Sequence, residues 1–258
     1  MVNIINTFHE AFTYSKQNIR RLLFIGLIAV IGDLNNILEN INIPDEIGII
    51  LGIITIIAAL ILAGFEHGII RETSNFNNEI PHFSWIENIK EGINVWLQEI
   101  IFCILPLSII LGIFLIAFND SVLHDFIILL IQNNGIIASY ALTDPIIEHV
   151  ILLFIVAFIL FAICELFWLI SICRLAKYGK LREGLNFIGI IKDLNQLGWG
   201  SVLLWVIVLA IFTGVLTFIG SLVKMIPFIG HLIVALIILP FTLLFTGAAT
   251  GFLYSYVK

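Results

Sequence analysis

Five long apolar runs constrain the fold of this chain more than any other feature of its sequence. They lie at residues 47–65, 100–118, 150–173, 201–223 and 232–257, and Glu165 is the only charged side chain within them. Each run has about the 20 apolar residues that a helix needs to cross a bilayer. Charged residues make up only 12% of the chain, whereas a soluble domain carries about 25%. The sequence therefore predicts an all-α integral membrane protein.

A sixth predicted span, at residues 22–38, is weaker, because Asp33, Asn35 and Asn36 follow its apolar stretch. The distribution of Lys and Arg favours this span. With six spans, Lys224 is the only one of the 12 basic residues on its side of the membrane, and the others share the opposite side with both termini. Basic residues accumulate in cytoplasmic loops. We therefore expect a multi-pass protein of the cell membrane with both termini in the cytoplasm.

The tryptophans support the same threading. All five fall at or near the predicted cytoplasmic interface, which amphipathic rings favour: Trp85, Trp96, Trp168, Trp199 and Trp205.

The six predicted spans, as two three-helix halves, are residues 22–38, 47–70, 97–118, 147–173, 200–223 and 230–256. Three amphipathic helices are predicted in the cytoplasmic interface, at residues 3–13, 85–95 and 181–195. The long outer loop, 119–145, is predicted to contain a half-helix at FIILLIQ and a turn at NNG.

The predicted helix at 85–95 shows the clearest amphipathic pattern. Ser84 and Glu87 form a capping box that starts it. Ile86, Ile89 and Ile93 then recur at the spacing of one helical face, and the remaining positions, including Asn88 and Glu91, form a polar face. Such a helix is typical of the membrane interface, and a solvated linker is the alternative.

A span that ends in an arginine and is followed by an amphipathic helix occurs twice in the chain. The arginines are Arg71 and Arg174, and the second amphipathic helix carries Leu185, Ile188 and Leu194. This recurrence indicates an internal repeat, which is common among transporters. In the predicted interfacial helix at residues 3–13, the lipid-facing residues are expected to be Ile5, Phe8 and Phe12.

Three short stretches connect the sequence to a known family: LAGFEHGIIRE, EIPHFSWIENIKEG and KYGKLREGLNF. In these stretches the chain resembles an archaeal membrane-protein family known as domain-of-unknown-function family 4013. Phe65 stands where that family prefers tyrosine, and Ser84 where it prefers aspartate. The resemblance implies a multi-span archaeal cell-membrane protein and brings no activity or catalytic residue with it. The matching positions are Gly64, Phe65, Arg71, Pro81, Phe83, Trp85, Gly92, Tyr178, Leu185 and Phe187.

The sequence contains no GxSxG, HExxH, P-loop or GxGxxG motif. Its two Glu-His pairs lack the i, i+4 partner of a helical metal site, and its three cysteines lack CxxC spacing. We therefore expect no enzymatic activity, no catalytic residue, no cofactor and no bound metal.

Four ionisable residues in or beside the predicted spans form the candidate site: Glu66, His67, Glu99 and Glu165. Ionisable groups inside a membrane are costly and usually face protein or water. One interpretation is a polar cavity, open to the cytoplasmic leaflet, that binds protons or a headgroup. In the other, Glu66 and Glu99 extend to the headgroups, while a protonated Glu165 is hydrogen-bonded between helices.

Two functions follow from these patterns. The interfacial helices and the missing catalytic motifs favour a non-enzymatic role in lipid handling or membrane assembly. The repeat and the acids in the spans favour a small-solute or proton-coupled transporter as the alternative. Membrane lipids are the expected partners, the net charge of −6 argues against nucleic acid, and a homo-oligomer is the candidate assembly. No motif specifies a protein partner.

Overall fold

The computed structural model describes residues 3–38, 44–117, 128 and 144–257, and these form helices joined by short connectors. The predicted outer segment, 119–145, lies almost wholly outside the described residues. The helices are α1 (Ile4–Gln17), α2 (Ile19–Gly32), α3 (Leu34–Ile37), α4 (Asp45–Ser74), α5 (Trp85–Ala117), α6 (Asp144–Tyr178), α7 (Leu181–Gly184), α8 (Phe187–Leu197), α9 (Trp199–Lys224) and α10 (Ile229–Tyr254).

Five of these helices are long and apolar enough to cross a membrane: α4, α5, α6, α9 and α10. The described residues are thus all-helical, as predicted, and the length and composition of these five helices fit a membrane protein. The predicted first span behaves differently. Its helix α2 has 14 residues and ends at Gly32, and the short helix α3 follows after Asp33.

Helix α5 is longer than the sequence pattern indicated. It begins at Trp85, directly after Ser84 as predicted, and continues through Ala117. The predicted interfacial helix at 85–95 and the predicted span at 97–118 are therefore one helix, with no turn at residues 94–98.

The first turns of α5 also face the other way from the predicted amphipathic arrangement. Asn88 is buried and Glu91 is half-buried, whereas Ile86 and Ile93 are exposed. Ile89, predicted to face lipid, packs against the buried residues Ile28, Ala58 and Ile61. The prediction of an outward polar face is wrong for Asn88 and Glu91. The carboxylate of Glu91 pairs with His67 and Arg71 of α4, and Asn88 lies where α5 crosses α4 at Gly64, while a bilayer can solvate isoleucine.

The other two predicted interfacial helices also differ from the prediction, in their bounds or in the residues that they bury. The predicted helix at 181–195 is divided into α7 and α8, and Leu194 is buried as part of the inner face of α8, whereas Ile188 is 83% exposed. In α1, Ile5 and Phe12 are exposed as predicted. Phe8, however, lies against protein rings.

The ring of Phe8 has its centroid 5.7 Å from that of Trp205 and 5.8 Å from that of Phe245. Trp205 is fully buried. The ring of Trp205 therefore packs against protein, since α1 covers it.

The chain forms two compact units, residues 1–98 with 169–258 and residues 99–168. In the first unit, α10 packs against α1, α2 and α4. A Cβ at Gly251 would overlap the side chain of Thr73 on α4, and one at Gly247 would lie 3.2 Å from the Glu66 side chain. Gly247 and Gly251 form a GxxxG pair, a sequence pattern that predicts close helix packing, and both of them lie against α4.

A π-helical turn, Val234–Ile238, lies inside α10 next to α2. Pro240 has no backbone N–H to donate to the carbonyl of Leu236. The i→i−4 hydrogen bond is therefore missing at the point where the helix widens into the π-helical turn. Gly26 of α2 packs directly on that turn, because a Cβ there would lie 2.6 Å from the Leu236 carbonyl oxygen.

The second unit contains the later part of α5 and the first part of α6. None of the residues in the most apolar stretch of α6 is buried inside the protein. Within the part of the chain that the structure describes, this stretch therefore presents an uncovered apolar surface.

Candidate functional site

Glu66 lies on α4 and faces α10. Its carboxylate accepts a hydrogen bond of 2.6 Å from the hydroxyl of Thr246. The small Gly247 makes room for this contact, since its missing side chain would lie against Glu66. The side chain of Glu66 on α4 is thus held by a hydrogen bond from α10, and it does not extend freely to the headgroups.

His67, the neighbour of Glu66, points to a different helix. Its Nδ1 lies 3.2 Å from Oε2 of Glu91 on α5, and Nη1 of Arg71 lies 2.5 Å from Oε1 of the same carboxylate. Glu91 therefore joins a buried imidazole and a guanidinium from successive turns of α4. The other ring nitrogen of His67, Nε2, is buried and has no hydrogen-bond partner among the described residues.

The sequence pattern predicts Glu91 only as part of a polar face, and it predicts no ion pair for this residue. Its spacing of 20 residues from Arg71 crosses a connector, so no helical periodicity could have linked the two.

Glu99 and Glu165 share a small cleft in the second unit. The cleft has a volume of about 50 Å³, and its other lining residues are Phe102, Cys103, Phe161, Cys164 and Trp168. This space has room for a few water molecules. Glu165 of α6 thus faces the neighbouring helix α5, and both carboxylate-bearing side chains are exposed among the described residues.

Glu66 and His67 belong to the first unit and bond to different helices, while Glu99 and Glu165 line one cleft of the second.

A buried network that the sequence did not predict surrounds Arg174 at the end of α6. Nη1 of Arg174 lies 2.7 Å from Oδ2 of Asp193 on α8, and the hydroxyl of Tyr254 on α10 donates to the same oxygen at 2.7 Å. All three residues are buried. Nε of Arg174 also donates to the backbone carbonyl of Glu183, at 3.0 Å.

The two arginines that ended the predicted spans thus have matching partners. Arg71 pairs with an acid 20 residues later, and Arg174 pairs with an acid 19 residues later. In each case the acid lies on the helix after the connector. This correspondence could have been found in the sequence by searching for an acid 19 or 20 residues after each arginine.

The positions of the family-like motif cluster around these pairs. A methyl group at Gly64 would overlap the backbone oxygen of Asn88, and one at Gly92 would overlap that of Leu60. The two glycines therefore allow α4 and α5 to cross in backbone contact. Pro81 packs on Gly68, with a Cβ there only 3.2 Å from the proline ring. In the second copy of the arrangement, the guanidinium of Arg174 lies 5.2 Å from the ring centroid of Tyr178.

Phe65, Phe83 and Trp85 continue this cluster on the other side of α4. The rings of Phe65 and Phe83 are 6.0 Å apart, and those of Phe83 and Trp85 are 4.8 Å apart. Beside them lies a cavity of about 340 Å³, which we call the Arg21–His82 pocket. Its lining residues are Arg21, Phe24, Ile25, Phe65, His82 and Phe83.

Comparison with protein families finds a match to the family described as "Protein of unknown function (DUF4013)", over residues 47–225. The chain belongs to the DUF4013 family. The match runs from α4 to the residue after α9, so it contains both arginine–acid pairs and all the motif positions. Of the residues bonded to these sites, Thr246 and Tyr254 on α10 lie outside the DUF4013 match. Comparisons with curated proteins and with solved structures each found no match.

Proposed function

We propose that this DUF4013 protein is a non-enzymatic, six-span protein of the cell membrane that handles lipid, with both termini in the cytoplasm. The observation that carries the proposal is a groove between α9 and α10, two helices of spanning length. The groove has a volume of about 270 Å³. We call it the lateral groove, and its lining residues are Leu216, Thr217, Gly220, Ser221, Lys224, Val234, Ile238, Leu239 and Thr242.

The lateral groove combines apolar walls with a polar end. The hydroxyls of Thr217, Ser221 and Thr242 donate to carbonyls of their own helices at 2.7–2.9 Å, so their oxygens remain available as acceptors. Lys224 supplies a positive charge at the end of α9. A phospholipid satisfies this arrangement, because its phosphate can pair with Lys224 while its acyl chain follows the leucine, valine and isoleucine side chains.

The six-span threading rests on the charges and on the reach of α2. Together, α2 and α3 run from Ile19 to Ile37, which corresponds to about 28 Å at 1.5 Å per residue and approaches the thickness of the hydrocarbon core. The exposed Ile5, Ile86 and Ile188 support the immersion of α1, of the start of α5 and of α8 in the cytoplasmic interface.

Thiol labelling tests this threading. In a variant without the three native cysteines, a cysteine in place of Asn42 or Asn134 should react with a membrane-impermeant reagent on intact cells. A cysteine in place of Lys180 should react only after the cells are opened. Labelling at Lys180 but not at Asn42 on intact cells would invert the topology.

Filling the lateral groove tests the lipid function. Gly220→Leu should remove most of the lipid that is retained by the detergent-purified protein, because the new side chain points toward Val234 and Ile238, 3.8–3.9 Å from its Cβ. Native mass spectrometry counts the retained lipids.

Gly214→Leu is the matched control, since it lies on the same helix and its Cβ would have no atom within 4 Å. This variant should keep the parental lipid. Equal lipid retention in Gly220→Leu and the parent would contradict a role of the groove.

Proton-coupled transport is the second candidate, and the cleft with Glu99 and Glu165 is the observation that favours it. The cleft is too small for an organic solute, but carboxylates with a few waters can relay protons. Proton flux into liposomes that is lost in Glu165→Gln would favour transport over lipid handling. The unburied surface of α6 supports a homo-oligomer in either case.

A further inference from the structure

The Arg21–His82 pocket contains a guanidinium with unused donors. Nη1 of Arg21 donates to the backbone carbonyls of Ile80 and Pro81, at 3.3 and 3.1 Å. These bonds tie the start of α2 to the connector between α4 and α5. An arginine carries five N–H donors in a planar fork, and those on Nε and Nη2 of Arg21 have no partner among the described residues.

The positive charge of Arg21 also lacks a counterion in the part of the chain that the structure describes, where no carboxylate forms an ion pair with it. Two neighbouring groups could in principle supply a negative charge. Burial raises the pKa of the Tyr14 phenol. The charge of Glu72 raises this pKa further and the charge of Arg21 lowers it, and the net effect is a raised pKa, so the phenol stays neutral. Among the described residues Glu72 forms no ion pair with Arg21, and its carboxylate instead accepts a hydrogen bond of 2.8 Å from the side chain of Asn77.

The walls of the pocket are aromatic. The ring of Phe24 meets that of Phe83 edge-to-face at 4.9 Å, and Phe65 lies behind them, almost fully buried. His82 is exposed on the connector and carries at least one N–H donor in any protonation state. Unused donors and a positive charge therefore stand beside an apolar surface.

We propose that the Arg21–His82 pocket binds a phosphate group, and that the phosphate belongs to the headgroup of an anionic phospholipid. Arginine is the preferred partner of phosphate, because its fork can donate two parallel hydrogen bonds to two oxygens. The phenylalanine walls suit the glycerol and upper acyl carbons that follow such a headgroup. The phosphate site stands on the geometry alone, whereas the choice of a lipid as its source rests on the function proposed above.

The test uses the full chain in detergent and three probes: dioctanoyl phosphatidylglycerol, dioctanoyl phosphatidylcholine and inorganic phosphate. Binding of each is titrated through the stabilisation of the protein against thermal unfolding. The parent should bind the phosphatidylglycerol more tightly than either other probe. Arg21→Gln should weaken that binding about tenfold to a hundredfold, as expected for the loss of charge-assisted hydrogen bonds.

Two further variants separate binding from folding. His82→Ala should weaken binding about threefold to tenfold, and its exposed position on the connector leaves the fold intact. Arg182→Gln removes a basic residue that is exposed on α7 and should bind like the parent. The melting temperature of each variant without ligand reports folding directly.

The outcomes distinguish the phosphate site from the lipid function. If inorganic phosphate binds as tightly as the phosphatidylglycerol and Arg21→Gln abolishes both, the phosphate site stands and its lipid source is overturned. If Arg21→Gln and His82→Ala both bind phosphatidylglycerol like the parent, the pocket is not the site, even though the protein still binds lipid. Equal weakening in Arg182→Gln would mean that general charge attraction alone holds the lipid, and would overturn the proposal.

Discussion

Asp193→Ala should lower the free energy of unfolding by about 3–5 kcal/mol, the typical effect of removing one partner of a buried ion pair. Arg174 and Asp193 are only 7% and 8% exposed, so the alanine would leave a largely buried guanidinium with only its longer contact to Glu183, at 3.4 Å, to balance its charge. Tyr254 would lose the acceptor of its hydroxyl as well. Equilibrium unfolding in detergent micelles, followed by circular dichroism, measures the change.

The matched control is Glu183→Ala, which removes the other carboxylate near Arg174. Glu183 is 37% exposed and its oxygen lies 3.4 Å from Nη2, and exposed pairs contribute about 0.2–1 kcal/mol. The double variant Arg174→Met with Asp193→Ala should recover much of the stability lost in Asp193→Ala, because no unpaired charge remains. If the double variant is no more stable than Asp193→Ala, packing and not charge accounts for the loss.

Gly64→Ala should lower the free energy of unfolding by about 1–3 kcal/mol, the typical penalty of overpacking. The new methyl group would occupy the position of the Asn88 backbone oxygen, and a backbone atom cannot turn aside as a flexible side chain does. Helices α4 and α5 would have to separate, which would also strain the bonds of Glu91 to His67 and Arg71. The same unfolding assay measures this loss.

Gly52→Ala on the same helix is the control, because its Cβ would have no atom within 4 Å. Alanine is a better helix former than glycine by about 1 kcal/mol, so this variant should be unchanged or more stable. Equal losses at Gly64 and Gly52 would show that the α4–α5 crossing is not what requires a glycine.

The elements of this protein followed closely from the sequence. The apolar runs predicted the five helices of spanning length, Ser84 predicted the start of α5, and the pair Gly247–Gly251 predicted a close helix contact. These features are local, because a bilayer demands about 20 apolar residues and a closed set of backbone hydrogen bonds from any crossing helix. The family motif likewise lay in short, contiguous stretches.

The facing of those helices and the partners of their polar residues were decided only by the tertiary structure. In water an apolar stripe marks the buried side of a helix, but lipid is as apolar as a protein interior, so isoleucine gains little from turning inward. Hence Asn88 is buried while Ile86 is exposed. Glu91 reaches His67 and Arg71 only because α4 and α5 cross at Gly64 and Gly92. That crossing depends on contacts between residues far apart in the chain, which no periodicity within one helix records.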